Sequence, residues 1–164
     1  MSSQIGQDQW VLSVLKNKRN GYFIDIGCYY PDELSNTDIL ESEYGWRGLA
    51  IDIQNFGDWS YRKNTIHILK NALEIDYYDL FKHLNVPTVV DYLSIDLEPP
   101  QLTLDCLYKI PFDIYKFKTI TFETDEYREG GEERKSLSRK FLQEKGYTFV
   151  KNVAKQDDFY ILSE

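Results

Sequence analysis

Asp25 and Gly27 are the first residues along the chain whose types and spacing indicate a ligand site. They lie in the segment GYFIDIGCYYP, where a glycine ends a short apolar run. A glycine permits a tight turn and lets a ligand approach the backbone. The segment is not the GxGxxG dinucleotide fingerprint, because Cys28, Tyr29 and Tyr30 stand where further glycines would be needed. The pattern therefore favours a nucleotide site without a hydride-transfer cofactor. A simple turn with a capped carboxylate is the alternative.

Asp52 ends the next apolar segment, GLAID. A carboxylate in that place can accept hydrogen bonds from both hydroxyl groups of a ribose. One aspartate at the end of a strand indicates little by itself. Together with Asp25 and Gly27, it indicates an adenosine-containing ligand that has no pyrophosphate.

Two short polar stretches are expected to face the same crevice. Ser35, Asn36 and Thr37 begin a predicted helix, where such side chains cap free N–H groups or present them to a carboxylate. Asn71 and Ala72 follow the third apolar segment, and Ala72 is small enough for a flat ring to lie against it. Helix capping and plain burial explain these residues equally well.

Two pairs of acidic residues follow the fourth and fifth apolar segments. Asp96 and Glu98 lie in DYLSIDLEPPQ, and Glu123 and Asp125 lie in FKTITFETDEY. If the two strands are neighbours, Asp96, Glu98 and Glu123 converge at one edge of the sheet. Like charges at short range raise one another's pKa or hold a cation. These three residues are therefore candidates for catalysis and for a divalent metal such as Mg²⁺, with a solvated acidic surface as the alternative.

The apolar pattern predicts an α/β protein with a mostly parallel sheet, because short β-rich runs alternate with amphipathic stretches. Predicted strands are 22–26, 48–53, 65–69, 89–95 and 117–123, followed by a hairpin of 147–151 and 158–162. Predicted helices are 8–16, 34–44, 76–84, 101–109 and 132–145. Residues 1–164 contain no linker and are interpreted as a single domain. In an open parallel sheet, ligands bind at the carboxyl ends of the strands.

Composition excludes several classes of function. The net charge of −8, from 19 basic and 27 acidic residues, argues against nucleic acid as a partner. No apolar run reaches the length of a membrane span, and MSSQIGQDQW is unlike a secretory signal, so a soluble, cytoplasmic protein is expected. Cys28 and Cys106 form no CxxC pair, so both are expected to be reduced. The sequence has no Ser-His-Asp pattern and no phosphate loop, which argues against hydrolases and NTPases.

Four strings occur in a fixed order: SQIGQDQW, GYFIDIGCYYPDELSNTDILESEYGWRGLAIDIQ, YLSIDLEPPQL and the final GY with DDFYI. The most specific part is the series D-x-G, proline, S-N-T and G-W-x-G over about thirty residues. On these motifs, from Ser3 to Ile161, the chain resembles the FkbM family of S-adenosylmethionine-dependent methyltransferases. Two motifs differ: the acid at the end of strand two is followed by Ile53 rather than proline, and DLEPPQ replaces D-x-E-G-x-E while keeping Asp96 and Glu98.

The resemblance implies a Rossmann-like class I methyltransferase fold, a seven-stranded sheet in the order 3-2-1-4-5-7-6 with helices on both faces. It implies S-adenosylmethionine as the cofactor. The implied contacts are Asp25 and Gly27 at the methionine part, Ser35, Asn36 and Thr37 near its carboxylate, Asp52 on the ribose, Asn71 and Ala72 beside adenine, and Gln4 and Asp8 close to the pocket.

The expected function is O-methylation of a sugar or glycan hydroxyl, because many members of the family act on such acceptors. Asp96, Glu98 and Glu123 would handle the hydroxyl proton, with or without a divalent metal. Aromatic candidates for stacking on a sugar ring, or for core packing, are Tyr29, Tyr30, Trp59 and Tyr127. Two alternatives remain: a non-catalytic Rossmann-like binding module, and a methyltransferase acting on a small natural product or a protein. The short chain leaves few residues for a substrate lid, so a homodimer could complete the site.

Overall fold

The structure, a computed structural model, describes residues 3–164, and these residues build a seven-stranded sheet. The strands are Tyr22–Ile26 (β1), Arg47–Asp52 (β2), Thr65–Leu69 (β3), Val89–Ile95 (β4), Lys116–Glu123 (β5), Tyr147–Val153 (β6) and Asp157–Leu162 (β7). Their order is β3-β2-β1-β4-β5-β7-β6. Strands β1 to β5 pair in parallel, and β7 runs antiparallel to both β5 and β6. The predicted fold class and strand order are confirmed.

Helices cover both faces of this sheet. They are Gln7–Val14 (α1), Asp38–Ser42 (α2), Tyr77–His83 (α3), Gln101–Leu107 (α4) and Gly131–Glu144 (α5), with a 3-10 helix at Ala72–Glu74. Successive strand residues point to opposite faces. The larger apolar cluster contains Ile24 of β1 with Phe81, Leu107 and Leu142 from α3, α4 and α5. The smaller cluster contains Phe23 of β1 with Leu12 and Leu40 from α1 and α2.

Two elements differ from the sequence prediction. The helix predicted at 34–44 is reduced to α2, because Leu34 has a positive φ of 55° and the chain turns before Asp38. The short apolar run of the third strand is typical of a strand buried on both faces, but β3 is an edge strand, and Ile66 and Leu69 are exposed.

Helix α1 turns a different face to the sheet from the one predicted. The apolar pattern predicts a buried face of Trp10, Val11, Val14 and Leu15, whereas Gln7, Asp8, Val11 and Leu12 are the buried residues of α1 and Val14 is exposed. The side chains of Gln7 and Asp8 are hydrogen-bonded, which makes their burial tolerable.

The described residues also bear on two other expectations, which concern membrane-spanning helices and the two cysteines. No helix among residues 3–164 has the length and apolar character needed to cross a bilayer. Cys28 and Cys106 are both free, as predicted, and both are buried.

Candidate active site

A cavity of about 660 Å³ opens at the carboxyl ends of the parallel strands. This volume falls within the range of about 300–1,000 Å³ that is usual for small-molecule sites. Nine of the predicted site residues line it: Gln4, Gly27, Asn36, Asp52, Asn71, Ala72, Asp96, Glu98 and Glu123. Three others, Asp25, Ser35 and Thr37, are buried behind its wall.

Gly27 forms the turn that ends β1 in the cavity floor. Its φ is +82°, and its N–H donates to the Ile51 carbonyl of β2 over 2.8 Å. A Cβ at this position would lie 1.7 Å from the carbonyl oxygen of Asp96. Any side chain would therefore collide with the backbone immediately after β4. The glycine keeps the ends of β1, β2 and β4 close together.

Asp25 lies on β1 between Ala50 of β2 and Ser94 of β4. It is 1% exposed, and neither carboxyl oxygen has a hydrogen-bond partner. Burial raises the pKa of Asp25 to about 7, and the positive charge of Arg62 opposes part of that shift. A buried carboxyl without partners is rare in folded proteins and indicates a functional role or a missing partner.

Asp52 is fixed at the end of β2 by two backbone donors. The Tyr29 N–H donates to Oδ2 over 3.0 Å, and the Gln54 N–H donates to Oδ1 over 3.3 Å. Each carboxylate oxygen has a second acceptor position. The carboxylate is therefore oriented and still able to accept hydrogen bonds from a diol in the cavity.

Asn71 and Ala72 follow β3 on the same side of the cavity. The Asn71 Oδ1 atom caps the 3-10 helix by accepting the Leu73 N–H over 3.0 Å. Ala72 is 5% exposed and adds an apolar wall beside Asn71. An amide next to a small apolar wall suits a flat, nitrogen-containing ring.

Of the three predicted residues Ser35, Asn36 and Thr37, one faces the cavity and two make hydrogen bonds behind it. Asn36 lines the cavity, and its Nδ2 donates to Ser94 Oγ over 3.0 Å. Ser35 Oγ instead accepts the N–H groups of Thr37 and Asp38 at the start of α2. Thr37 Oγ1 accepts from Arg62 over 3.0 Å. Ser35 and Thr37 therefore support the wall, and Asn36 alone of the three lines it.

Arg62 is a residue that the sequence reasoning missed. It is 4% exposed, pairs with Glu41 of α2, and donates to the Pro31 carbonyl and to Thr37. The loop between β2 and β3, the loop before α2, and α2 itself are thereby joined. No local motif marks this role, because Glu41, Pro31 and Thr37 lie 21 to 31 positions away from Arg62.

The N-terminal segment reaches the cavity through hydrogen bonds made by α1. Asp8 accepts from the Ser3 hydroxyl over 2.6 Å and from its N–H over 3.0 Å. Gln7 lines the cavity and donates to Asp157 of β7 over 3.0 Å. Gln4 is exposed and faces the cavity. Asp8, which the resemblance places close to the pocket, therefore anchors the segment that carries Gln4.

Asp96 and Glu123 meet at the ends of the neighbouring strands β4 and β5. Burial raises the pKa of both side chains. The hydrogen bond between them opposes the shift at Asp96 and adds to it at Glu123. Glu123 is 8% exposed, and no donor faces its Oε2 atom. The arrangement holds a proton on Glu123 and leaves Asp96 as the ionised partner.

Glu98, Glu123 and Asp125 form a further group, the acidic triad, whose ligand atoms all lie within 4.8 Å of one another. The metal prediction named Asp96 in place of Asp125. Arg128 Nη1 donates to both oxygens of Glu98, over 2.8 and 3.0 Å, and to Asp125 over 3.2 Å. A guanidinium therefore supplies positive charge to two members of the triad.

The four aromatic candidates lie in different places. Tyr29 and Tyr127 are exposed and line the cavity. Tyr30 packs against Tyr29 and Phe56. Trp59 is 9% exposed and stacks on His67 with the ring centroids 4.3 Å apart, so it is a core residue and unavailable to a sugar ring.

Solved structures of low sequence identity share this fold. A proposed rRNA methylase from Clostridium thermocellum superposes with a TM-score of 0.60 at 14% identity, over 98% of this chain and 97% of that one. A protein of the NADB-Rossmann superfamily from Streptococcus agalactiae gives 0.60 at 16% identity, over 100% and 71%. The METTL16 methyltransferase domain gives 0.56 at 15% identity, over 94% and 65%.

No protein-family model matches the sequence, and no curated protein matches it. At identities of 14–16% the structural likeness shows the fold alone. The chain therefore has a Rossmann-like methyltransferase fold, and membership of the FkbM family stays a prediction.

Proposed function

We propose that this protein is an S-adenosylmethionine-dependent methyltransferase. The observation that carries the proposal is the row of groups along the ends of β1, β2 and β3. Asp52 presents oriented acceptor positions to a diol, Ala72 offers a wall to a flat ring, and Gly27 lets a ligand approach the floor. Asp25 is buried beneath the place where a cationic amino-acid part would lie, and its ionised form would supply the opposite charge there.

The cavity extends beyond the space that an adenosine needs. Adjacent strands are about 4.8 Å apart, so Asp52 on β2 and Glu123 on β5 are separated by three strand spacings, on the order of 14 Å. The cofactor would lie over β1 to β3. The acceptor would lie over the ends of β4 and β5, beside Asp96 and Tyr127.

A sugar hydroxyl is the proposed acceptor. Tyr127 is 62% exposed and offers an aromatic face, and Gln7, Gln156 and Asp125 add amide and carboxylate groups to the same cavity. Aromatic faces with planar polar side chains suit a ring that has apolar faces and hydroxyl edges. The resemblance to the FkbM family supports the same acceptor class.

The structural neighbour described as a proposed rRNA methylase raises RNA as an acceptor. Five acidic residues line the cavity, against one arginine: Asp52, Asp96, Glu98, Glu123 and Asp125. Phosphodiester groups bind to clustered basic side chains. The charge of the lining therefore favours an uncharged or cationic acceptor over RNA.

S-adenosylmethionine, when bound, supplies an electrophilic methyl group. Asp96 is placed to accept the proton of the acceptor hydroxyl, because it faces the cavity and Glu123 hydrogen-bonds its ionised form. Burial raises the pKa of Asp96 above its usual range, which makes it a stronger base than an exposed carboxylate. Gly27, Asn36 and Asp52 would align the donor with the acceptor, and alignment contributes much of the rate.

The acidic triad does not provide an open divalent-metal site. Arg128 bonds Glu98 and Asp125, and Glu123 holds a proton. Asp96 lies outside the group that has metal-like spacing. We therefore assign no step of the reaction to a metal ion.

Transfer of isotopically labelled methyl groups tests this proposal. Purified protein and labelled S-adenosylmethionine are incubated with separated glycan, lipid, small-molecule, protein and RNA fractions. We expect label in the glycan fraction, and we expect Asp96→Asn to lower the rate by about a hundredfold or more. Glu144→Gln, a change at an exposed acid of α5, serves as the matched control. Label confined to protein or RNA would refute the sugar acceptor, and no transfer to any fraction would favour the binding-module alternative.

A further inference from the structure

Residues 3–7, called the 3–7 segment below, are given a defined shape by polar side chains. Ser3 donates from its hydroxyl and from its N–H to the two carboxylate oxygens of Asp8, over 2.6 and 3.0 Å. The Ile5 N–H donates to Gln7 Oε1 over 3.1 Å. Ser3, Gln7 and Asp8 are all buried. Because buried polar groups are costly unless they are hydrogen-bonded, these bonds fix the path of the segment.

One hydrogen bond connects this segment to the sheet. Gln7 Nε2 donates to Asp157 Oδ2 of β7 over 3.0 Å. Among the hydrogen bonds of residues 3–164, it is the one that joins the 3–7 segment to a strand. The Trp10 ring packs on Phe159 with the centroids 4.7 Å apart, which anchors α1 independently. Loss of the Gln7 bond would therefore free the segment while α1 stays packed.

Asp157 is held in a fixed position at the beginning of β7. It lies opposite Glu123 of β5 in the antiparallel pair. The carbonyl of Gln156, the preceding residue, accepts the N–H groups of Thr124 and Asp125 over 2.7 and 3.0 Å. The beginning of β7 is thereby joined to the end of β5, beside the place proposed for the acceptor. The 3–7 segment is tied to the same part of the cavity.

The Asp157 carboxyl also depends on this hydrogen bond. Burial raises the pKa of Asp157 to about 7, the charge of Asp96 adds to the shift, and the hydrogen bond from Gln7 opposes it. Within the described part of the chain, Gln7 is the donor that reaches this carboxyl. Release of the segment would leave a buried carboxyl without a donor, which is unfavourable. The bound position of the segment is favoured for this reason.

The 3–7 segment borders the acceptor side of the cavity. Gln4 and Gln7 line the cavity together with Asp96 and Glu123. Gln4 is exposed, and Gln7 Nε2 has a second N–H that the bond to Asp157 does not use. Both amides are able to donate to hydroxyl oxygens of an acceptor that lies over β4 and β5.

We propose that the 3–7 segment closes over the acceptor, and that Gln7 and Asp157 are positioning residues that hold it there. This inference rests on the proposed function and adds to it the part of the chain that orients the acceptor. With the segment in place, the acceptor hydroxyl is held between the segment and Asp96. When the segment is released, the acceptor binds more weakly, while the cofactor over β1 to β3 binds as before.

Two substitutions at Asp157 isolate the hydrogen bond. Asp157→Leu removes the acceptor oxygen, whereas Asp157→Asn keeps an oxygen that can accept the Gln7 N–H. Both substitutions remove the same negative charge from the neighbourhood of Asp96 and Glu123. Any electrostatic effect on those two groups is therefore common to both variants. A difference between the variants reports the hydrogen bond.

Hydrogen–deuterium exchange, followed by NMR, measures whether the segment is released. We expect the Ile5 amide to exchange about tenfold or more faster in Asp157→Leu than in wild type, and within about threefold of wild type in Asp157→Asn. The acceptor of the Ile5 N–H is Gln7 Oε1, which neither substitution changes. Faster exchange therefore reports release of the segment.

Initial rates of labelled methyl transfer measure the effect on the acceptor. Serial dilutions of the glycan fraction serve as acceptor, with S-adenosylmethionine at saturation. We expect Asp157→Leu to raise the apparent KM for the glycan fraction about fivefold or more, because one hydrogen bond that holds the segment is lost. The maximal rate and the affinity for S-adenosylhomocysteine should stay within about twofold of wild type. Asp157→Asn should retain a KM close to that of wild type.

Gln7→Met tests the same contact from the other side and should raise KM as Asp157→Leu does. Gln9→Met, at an exposed position of the same helix, is the matched control and should leave KM and exchange unchanged. Cooperative thermal unfolding shows that each variant is folded. If Gln7→Met does not fold, Ser3→Ala loosens the segment more mildly by removing the hydroxyl donor to Asp8, and it should raise KM in the same direction.

Three results would overturn the inference. They are an unchanged KM in folded Asp157→Leu, equal rises of KM in Asp157→Leu and Asp157→Asn, and a loss of affinity for S-adenosylhomocysteine in place of a change in KM. If the wild-type protein binds no S-adenosylhomocysteine or transfers no methyl group to the glycan fraction, the proposed function itself has failed. Binding and transfer by the wild type, with a KM that none of these variants changes, would remove only the role of the segment.

Discussion

Gly27 is subject to two constraints at the residue scale. Its φ is positive, and the Asp96 carbonyl occupies the space that a side chain would need. Gly146 has a similar φ of 96°, but nothing lies within 4 Å of the place where its Cβ would be. Substitution of Gly146 therefore introduces backbone strain alone, whereas substitution of Gly27 introduces both backbone strain and a steric collision.

Gly27→Ala should destabilise the protein by more than about 3 kcal/mol and abolish cofactor binding, because β1 and β4 must move apart. Gly146→Ala should cost only the strain of a positive φ, about 1–2 kcal/mol, and leave binding intact. Urea denaturation and calorimetric titration with S-adenosylhomocysteine measure both effects. Similar losses in the two variants would show that close approach at Gly27 is unimportant.

Asp25 should make stability depend on pH in the ligand-free protein. Its pKa is raised to about 7 in the folded state and is near 3.8 when exposed, so the folded protein binds the proton more tightly. Stability contributed by the protonated form is therefore lost as the pH rises from about 4 through 7.

Asp25→Asn removes this titration. We expect the variant to gain stability relative to wild type as the pH rises, by on the order of 2–4 kcal/mol at pH 8, with little gain near pH 4. Denaturation curves at several pH values measure the difference. A difference that is constant with pH would contradict the account.

At the element scale, the position of helix α2 depends both on a local sequence signal at its start and on tertiary contacts with Arg62. The Ser35-Asn36-Thr37 signal lies directly before the helix, and Ser35 Oγ accepts the N–H of Asp38, the first residue of α2. The sequence could not show that Thr37 and Glu41 of this region would bond Arg62 from another loop. A contact between residues so far apart along the chain depends on the assembled sheet.

Arg62→Gln should destabilise the protein by about 3–5 kcal/mol, because Glu41 is left as a buried charge without its partner. Glu132→Gln is the control, since Glu132 is highly exposed and its partner Lys135 keeps a second ion pair with Glu126, and it should cost less than about 1 kcal/mol. Thermal and urea denaturation measure both variants. Equal effects would mean that Arg62 does not hold the loops together.

The strands could be predicted well, because buried parallel strands have short, nearly continuous apolar runs. Strands β1, β3 and β4 begin and end at the predicted residues, and Gly146 follows α5 with a positive φ, as is typical of a glycine just after a helix. The face of α1 could not be predicted, because Gln7 is buried by a bond to Asp157, 150 positions away. Arg128 was missed for the same reason, since its contact with Glu98 exists only after β4 and β5 pair.

At the scale of the whole molecule, the charge distribution argues against nucleic acid as a partner. The net charge is −8, and the cavity has an acidic lining. Electrostatic binding to a phosphate backbone requires the opposite distribution.

We expect no binding to structured RNA at a salt concentration of about 0.15 M, measured by fluorescence anisotropy with a labelled hairpin. A salt-dependent complex with a micromolar or lower dissociation constant would contradict the assignment of the acceptor class.

The central claim is that the cavity over β1, β2 and β3 binds an adenosyl amino acid. Calorimetric titration with S-adenosylhomocysteine at two temperatures tests it most directly, with Asp52→Ala and the exposed control Glu144→Ala measured in parallel. We expect one site per chain, a loss of affinity of about tenfold or more in Asp52→Ala, and wild-type affinity in the control. Absence of binding to the wild-type protein at both temperatures, or full affinity in Asp52→Ala, would contradict the claim.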